Sequence, residues 1–236
     1  MSIPLFFIEK VDSTMNEIKK DKYRHYNNVA IISKKQTDGR GRRKKKWISE
    51  IGNIYLSIRL KRRILKNHHL TSFMVGIVVY ESIKKFISND TRISIKWPND
   101  ILINNKKVAG ILVEFISSGN NITDVIIGIG INIKNNPLIY KNTTTCLSKY
   151  SNINLKVFDL VSFILDKQHF WIKILNFNNK LLIKEWMKRS KQMNAEIKFY
   201  HDNKLQNGKY QGICSDGSIK VLVNNKINNY FNLELV

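Results

Sequence analysis

The sequence predicts an α+β fold: a mixed, mainly antiparallel sheet packed with helices, plus a small C-terminal β-barrel. Three observations predict it. Short strand-like runs joined by turn signals fill most of the first 135 residues. The segment 70–88 is apolar on most faces near its centre, the pattern of a buried helix. After Asn194 the pattern changes to short strands separated by HDNK, DGS and NNK, as in a small barrel that must dock on a neighbour to be stable.

The elements follow in order. PLFFIE (4–9), VAIISKK (29–35) and NIYLSIRL (53–60) read as strands. Between the first two, Thr14 and Glu17 have capping-box spacing, which predicts a short helix starting there. RISIKW is a strand, PND a turn, ILI a strand and NNKK a second turn. KVAGILVEFIS then forms a hairpin with it, and ITDVIIGIGINI returns after SSGNN. A polar stretch near 140–156 precedes helical patterning over 157–175 and 180–190. The expected division is residues 1–190 as one domain and 191–236 as a small barrel.

Composition excludes several classes. A chain of 236 residues that is 43% hydrophobic can bury a sizeable core. No apolar run is long enough to span a bilayer, and the N-terminus makes a poor signal peptide. Cys146 and Cys214 lie far apart, without a CxxC or a nearby His pair, which argues against a disulfide framework or a zinc site and makes the cytosol the default compartment. The net charge of +22 would suit a polyanion partner. The excess is Lys-heavy and comes with abundant Ile and Asn, the signature of an AT-rich coding sequence. The local run at 40–46 still needs its own explanation.

Four places concentrate chemistry. In QTDGRGRR, Gly39 and Gly41 permit close backbone approach, and Arg40 and Arg42 flank Gly41 with planar forks suited to a carboxylate or phosphate; a solvated basic loop is the plainer alternative. KWPND at 96–100 is a Trp-Pro turn that offers Asn99 and Asp100 at a strand edge. In KVAGILVE at 107–114, Gly110 marks a close approach. Alternation there puts Lys107, Ala109, Ile111 and Val113 on one face and Val108, Gly110, Leu112 and Glu114 on the other. GIGIN at 128–132 fails as a dinucleotide fingerprint, because no third glycine follows and no helix opens, but it suits close approach to a phosphate or base with Asn132 donating.

Together and in this order, these motifs resemble those of the biotin–protein ligases. Asp12-Ser13-Thr14, Gln36, GRGRR at 39–43 with Trp47, KWPND, KVAGILVE and GIGIN carry the resemblance. It implies a fold like that of class II synthetases and biotin–lipoate ligases. The implied reaction makes biotinyl-5′-AMP from biotin and ATP, then passes the biotin to a lysine of a carboxylase's carrier domain, with Mg²⁺ on the phosphates. It places Ser13, Thr14, Gln36, Gly39, Arg40, Arg42, Lys107 and Gly110 around biotin. Arg42, Trp47, Lys96, Asn99, Asp100, Lys107 and Asn132 fall around the nucleotide, with Lys107 and Arg40 as the catalytic cations. Trp47 would stack on adenine, with plain core packing as the alternative, and Ser13 could serve only as a helix cap. The loops at 39–46 and 134–145 are expected to order over the intermediate.

One departure stands out. The family usually continues GRGRR with Gly then Arg, where this chain has Lys44 and Lys45. With no helix-turn-helix ahead of the first strand, the expectation is the enzyme-only form: no DNA binding, no membrane, and a monomer or homodimer. A lipoate–protein ligase shares the fold and the adenylate chemistry. An RNA-binding protein using 40–46 as a polybasic contact is the rival of another class, and it leaves the other three motifs unexplained.

Overall fold

The computed structural model describes residues 3–140, 142–151, 156–231 and 233–235. Positions 141 and 152–155, within the polar stretches expected at 134–145 and 140–156, lie outside the described residues.

Seven strands form the first sheet: β1 (Leu5–Val11), β2 (Asn28–Gln36), β3 (Ile54–Lys61), β4 (Ile93–Lys96), β5 (Asp100–Ile103), β6 (Lys106–Ser118) and β7 (Asn121–Ile131). Their spatial order is β1-β2-β3-β7-β6-β5-β4. Only β1 and β2 run parallel; every other neighbouring pair is antiparallel. The β5–β6 hairpin turns on Asn104 and Asn105, both at positive φ (47° and 66°), the two-residue turn that matches strand twist. The Trp97–Pro98 peptide between β4 and β5 is cis.

Helix α2 (Thr71–Lys84) is buried on nearly every side, as its all-round apolar sequence predicts. It packs against α3 (Val157–Phe177) and α4 (Asn179–Arg189), with Phe73 edge-on to the buried Trp186. The turn between α3 and α4 is set by Asn178, whose Oδ1 accepts from Leu181 N at 3.0 Å. No described helix is long and apolar enough to cross a membrane.

The second sheet is antiparallel, in the order β11-β10-β9-β8-β12. Its strands are β8 (Glu196–His201), β9 (Lys204–Ile213), β10 (Ile219–Val223), β11 (Lys226–Tyr230) and β12 (Glu234–Leu235). Asp202-Asn203 and Asn224-Asn225 sit at positive φ in its two-residue turns. Its inner residues Phe199, Tyr210 and Val221 belong to the same continuous core as α2 and the first sheet.

Two local expectations change. Helix α1 (Thr14–Glu17) is a single turn capped by Ser13, whose Oγ accepts from Met15 N at 3.3 Å. The capping box expected for Thr14 and Glu17 does not form. Glu17 instead holds Lys20 at 2.5 Å and Lys22 at 2.9 Å, and Thr14 turns toward β2 and β3. The second change is in β6. Asp100 pairs with Gly110 and Ile101 with Ala109, but Leu102 pairs with Lys107. One extra residue, Val108, is therefore a bulge. A bulge reverses side-chain alternation locally, and Lys107 comes to the same face as Gly110, where strict alternation predicts the opposite face.

Candidate active site

A cleft of about 610 Å³ opens over one face of β6 and β7, at their junction with α1, the loop 39–47 and the turn 97–99. Its size is that of a small-molecule site. The floor is made by absence. Gly110 and Gly130 face each other across β6 and β7. A Cβ at Gly110 would lie 2.8 Å from Trp47 Cζ3, and one at Gly130 would lie 2.4 Å from Trp47 Cε2. The Trp47 indole thus rests directly on bare backbone. Gly128 serves Met15 in the same way, with Sδ 2.6 Å from where a Cβ would be. The glycines of GIGIN admit the protein's own side chains, where the sequence suggested a phosphate or base.

Uncharged polar groups line one end. Gln36 Oε1 accepts from Thr14 N at 2.8 Å and from Thr14 Oγ1 at 3.0 Å. Gln36 Nε2 donates to Ser49 Oγ at 2.9 Å, and Ser49 Oγ donates to the Trp47 carbonyl at 3.0 Å. Ser57 Oγ donates to Thr14 Oγ1 at 2.8 Å. This chain of bonds fixes the α1 N-terminus against both ends of the cationic loop. Gly39 does not line the cleft. A Cβ there would stand 2.3 Å from the Trp47 carbonyl oxygen, so glycine is needed for the loop to fold back on itself.

Cations line the other end. The bulge presents Lys107, whose Nζ sits 2.7 Å from Asp100 Oδ1 and 5.3 Å from the Trp47 ring centroid. Its backbone is clamped by the segment 143–145: Lys107 N donates to the Thr143 carbonyl and Thr145 N to the Lys107 carbonyl, each at 2.9 Å. Arg40 and Lys96 line the cleft, as does Arg42, whose Nη1 donates to Asn99 Oδ1 at 3.3 Å. Asn99 Nδ2 donates in turn to the Ile111 carbonyl at 2.6 Å. Asn132 is 2% exposed and donates through Nδ2 to the Thr145 carbonyl at 3.1 Å. Asn99, Asp100 and Asn132, expected at the nucleotide, thus border the cleft while bracing protein.

Three features escape sequence reasoning. Asn53 is 5% exposed, and its Oδ1 accepts from the backbone of Ile133 at 2.8 Å and Lys134 at 3.1 Å, pinning the start of the 133–145 segment. A Gly-Asn pair before a strand was its only trace. Glu114 receives Arg40 and Lys19. Burial pushes its carboxyl up, but the hydrogen bonds from Lys19 and Arg40 outweigh this and hold it below the usual carboxylate range. Leu233, just before β12, and Leu235 within it reach the cleft wall, and the Leu233 carbonyl accepts from Arg43 Nη2 at 3.2 Å; nothing in their sequence signals this.

The loop carries strain. Arg43 and Lys44 have φ of 54° and 58°, a region that costs an L-residue about 1–2 kcal/mol. A β-branched residue suits it worst and glycine best. Lys44→Gly should therefore melt about 2–4 °C above Lys44→Val, the equivalent of about 1 kcal/mol at this chain length. Equal melting temperatures would remove the strain from consideration.

The comparisons with known proteins agree with this geometry. Residues 7–132 match the model of the Biotin/lipoate A/B protein ligase family. The Bifunctional ligase/repressor BirA of Bacillus subtilis is 39% identical over 109 residues, 45% of this chain and 33% of that protein. The Biotin--[acetyl-CoA-carboxylase] ligase of Paracoccus denitrificans is 37% identical over 109 residues, 45% of each. The match thus spans less than half the length of these curated relatives. The biotin protein ligase of Aquifex aeolicus, solved in complex with biotin and ATP, superposes with a TM-score of 0.85 at 25% identity, covering 99% of this chain and 97% of that one. The family model takes in β1 from Phe7 onward, the other six strands of the first sheet and the glycines of the cleft floor, and the chain belongs to the Biotin/lipoate A/B protein ligase family.

Proposed function

We propose that the chain is a biotin–protein ligase that joins biotin and ATP into biotinyl-5′-AMP and then transfers the biotinyl group to a carrier-domain lysine. One observation carries this reading: a single cleft joins an uncharged polar end, at Ser13, Thr14 and Gln36, to a cationic end at Arg40, Arg42 and Lys107. Biotin has that same division, a neutral polar ureido ring and a carboxylate. The relative of known structure from Aquifex aeolicus, bound to biotin and ATP, supports the choice of substrates.

In the first step the biotin carboxylate attacks the α-phosphorus, a new C–O–P linkage forms, and pyrophosphate leaves with the electrons of the broken P–O bond. Two anions must meet. At about 4 Å each charge pair repels by about 1 kcal/mol in water but by roughly 4 kcal/mol at an effective dielectric of 20. Lys107 and Arg40 offset that repulsion from fixed positions. The bulge, the 143–145 clamp and Asp100 orient the Lys107 ammonium before the substrates arrive. In the second step a neutral lysine amine of the acceptor attacks the biotinyl carbonyl, the new C–N bond replaces the acyl C–O bond, AMP leaves with that electron pair, and the nitrogen releases a proton to solvent. No enzyme nucleophile is required, and positioning and charge account for the catalysis. Mg²⁺ bound to ATP would supply positive charge against the phosphates; among the described residues no three His, Cys, Asp or Glu side chains gather to hold a metal of the protein's own.

Leu138 and Ile139 stand 82% and 74% exposed beside the cleft, and they would lose that exposure by closing over adenine. Residues 1–190 then carry the chemistry, with the 191–236 sheet closing one wall. A cytoplasmic enzyme acting on a carboxylase's biotin carrier domain, as monomer or homodimer, fits this reading.

The test is pyrophosphate exchange into ATP with biotin, with lipoate and with neither. Biotin should support exchange at least about a hundredfold above lipoate, since a site built to hydrogen-bond a polar ring rejects a ligand that lacks it. Exchange that favours lipoate, or that ignores both acids, overturns the proposal.

A further inference from the structure

Glu114 stands on the same face of β6 as Gly110 and Leu112, beside a second hollow of about 550 Å³ beneath the loop 38–46. Both its oxygens lie 2.6 Å from Arg40 Nη2. Lys19 Nζ, just beyond α1, lies 3.0 Å from Oε2. One carboxylate therefore ties together the sheet, the first helix and the cationic loop.

The loop needs such a counter-charge. Residues 40–46 carry six cations, which repel one another across a short span. The acids bordering the hollow are Asp38 and Glu114. Asp38 meets Lys46 only at 3.8 Å, with both side chains largely exposed. Glu114 is 29% exposed and Arg40 32%, so their pair is shielded from solvent more than the Asp38–Lys46 pair. The pair also uses only one end of the arginine. Arg40 lines the cleft, and its Nε is buried without a protein partner, a donor that a ligand's oxygen would satisfy.

We propose that Glu114 is a positioning residue: by holding Arg40 Nη2 it aims the rest of the guanidinium into the cleft and keeps the loop 39–47 seated over it. This rests on the proposed role of Arg40 toward the biotin carboxylate. A partly exposed ion pair contributes little to global stability, so the effect belongs to binding and to the loop.

Glu114→Gln keeps the side chain's size and removes its charge. In the ligand-free full chain, trypsin should cut within 40–46 about fivefold faster, because cleavage follows local opening. The KM for biotin in pyrophosphate exchange should rise about tenfold through loss of orientation, with the ATP KM changed by less than about twofold. The melting temperature should stay within about 2 °C, as for an ion pair that contributes little to stability. Added to Arg40→Met, Glu114→Gln should have no further effect on biotin KM, since both act through one interaction. Unchanged cleavage with unchanged biotin KM overturns the proposal, as does an additive effect in the double variant, or a melting loss that accounts for both changes. If the natural chain shows no biotin-dependent exchange, the functional reading fails by itself. The trypsin ratio then decides the role of Glu114: about fivefold supports the seat on the loop, and unity overturns it.

Discussion

Lys107→Ala lowers biotin-dependent pyrophosphate exchange by about two to three orders of magnitude, equivalent to roughly 2.7–4 kcal/mol of transition-state stabilisation. The expectation rests on geometry as well as charge. The Val108 bulge turns Lys107 onto the cleft face, the 143–145 segment clamps its backbone on both sides, and Asp100 holds Nζ at 2.7 Å. A cation so fixed needs little reorganisation as charge shifts from carboxylate to leaving pyrophosphate. The side chain is 30% exposed, so its removal should cost little folding stability, and the melting temperature should fall by no more than about 2–4 °C for about 1 kcal/mol. Lys107→Arg keeps the charge but replaces a compact ammonium with a planar fork, and it should recover only part of the rate. A Lys107→Ala enzyme within about threefold of the natural rate would take the bridging role away from this residue, since a lost preorganised cation costs far more.

Gly130→Ala displaces Trp47. A Cβ at that position would lie 2.4 Å from Cε2 and 2.7 Å from Nε1 of the indole, closer than any real contact, and the strand beneath is paired on both sides. The indole must move, and it carries with it the Trp47 carbonyl that accepts from Ser49 and so the link to Gln36. Overpacking of this kind costs about 1–3 kcal/mol. The larger loss should be in exchange activity, at least about tenfold, because the loop and the polar end of the cleft shift together. Gly76→Ala is the control. There the nearest atom to a new Cβ is 3.4 Å away, and alanine favours a helix over glycine by about 0.8–1.0 kcal/mol. Gly76→Ala should be neutral or stabilising; equal losses at Gly76 and Gly130 would show that glycine-to-alanine changes act here without regard to Trp47.

The sheet and the buried helix were legible because burial writes itself into periodicity. The run 70–88 reads as apolar all round, and α2 is buried on nearly every side. The site motifs also lay in plain view, since glycines and a Trp-Pro turn are unusual inside strands and at strand edges. What stayed hidden arises from pairing between distant segments. Alternation alone assigns Lys107 to the wrong face, because a bulge is defined by the partner strand and leaves no mark in its own sequence. Asn53 and Glu114 look like ordinary turn and strand-end residues until 133–135 and Arg40 arrive beside them. Thr14 and Glu17 have the spacing of a capping box, yet Gln36 and Lys20 compete successfully for them. Arg43 meets Leu233 across 190 residues of sequence, a separation no local pattern can report.

That last contact sets an order of events during synthesis. The loop 39–47 leaves the ribosome early, and the first sheet can form around it while translation continues. The carbonyl that receives Arg43 belongs to β12's lead-in, which emerges 190 residues later. Until then six clustered cations face solvent and the RNA-rich ribosome surface with one wall of their cleft missing. A nascent chain stalled before residue 233 would therefore hold a folded sheet and an open, strongly basic mouth, and the cleft is finished only after the second sheet has been made.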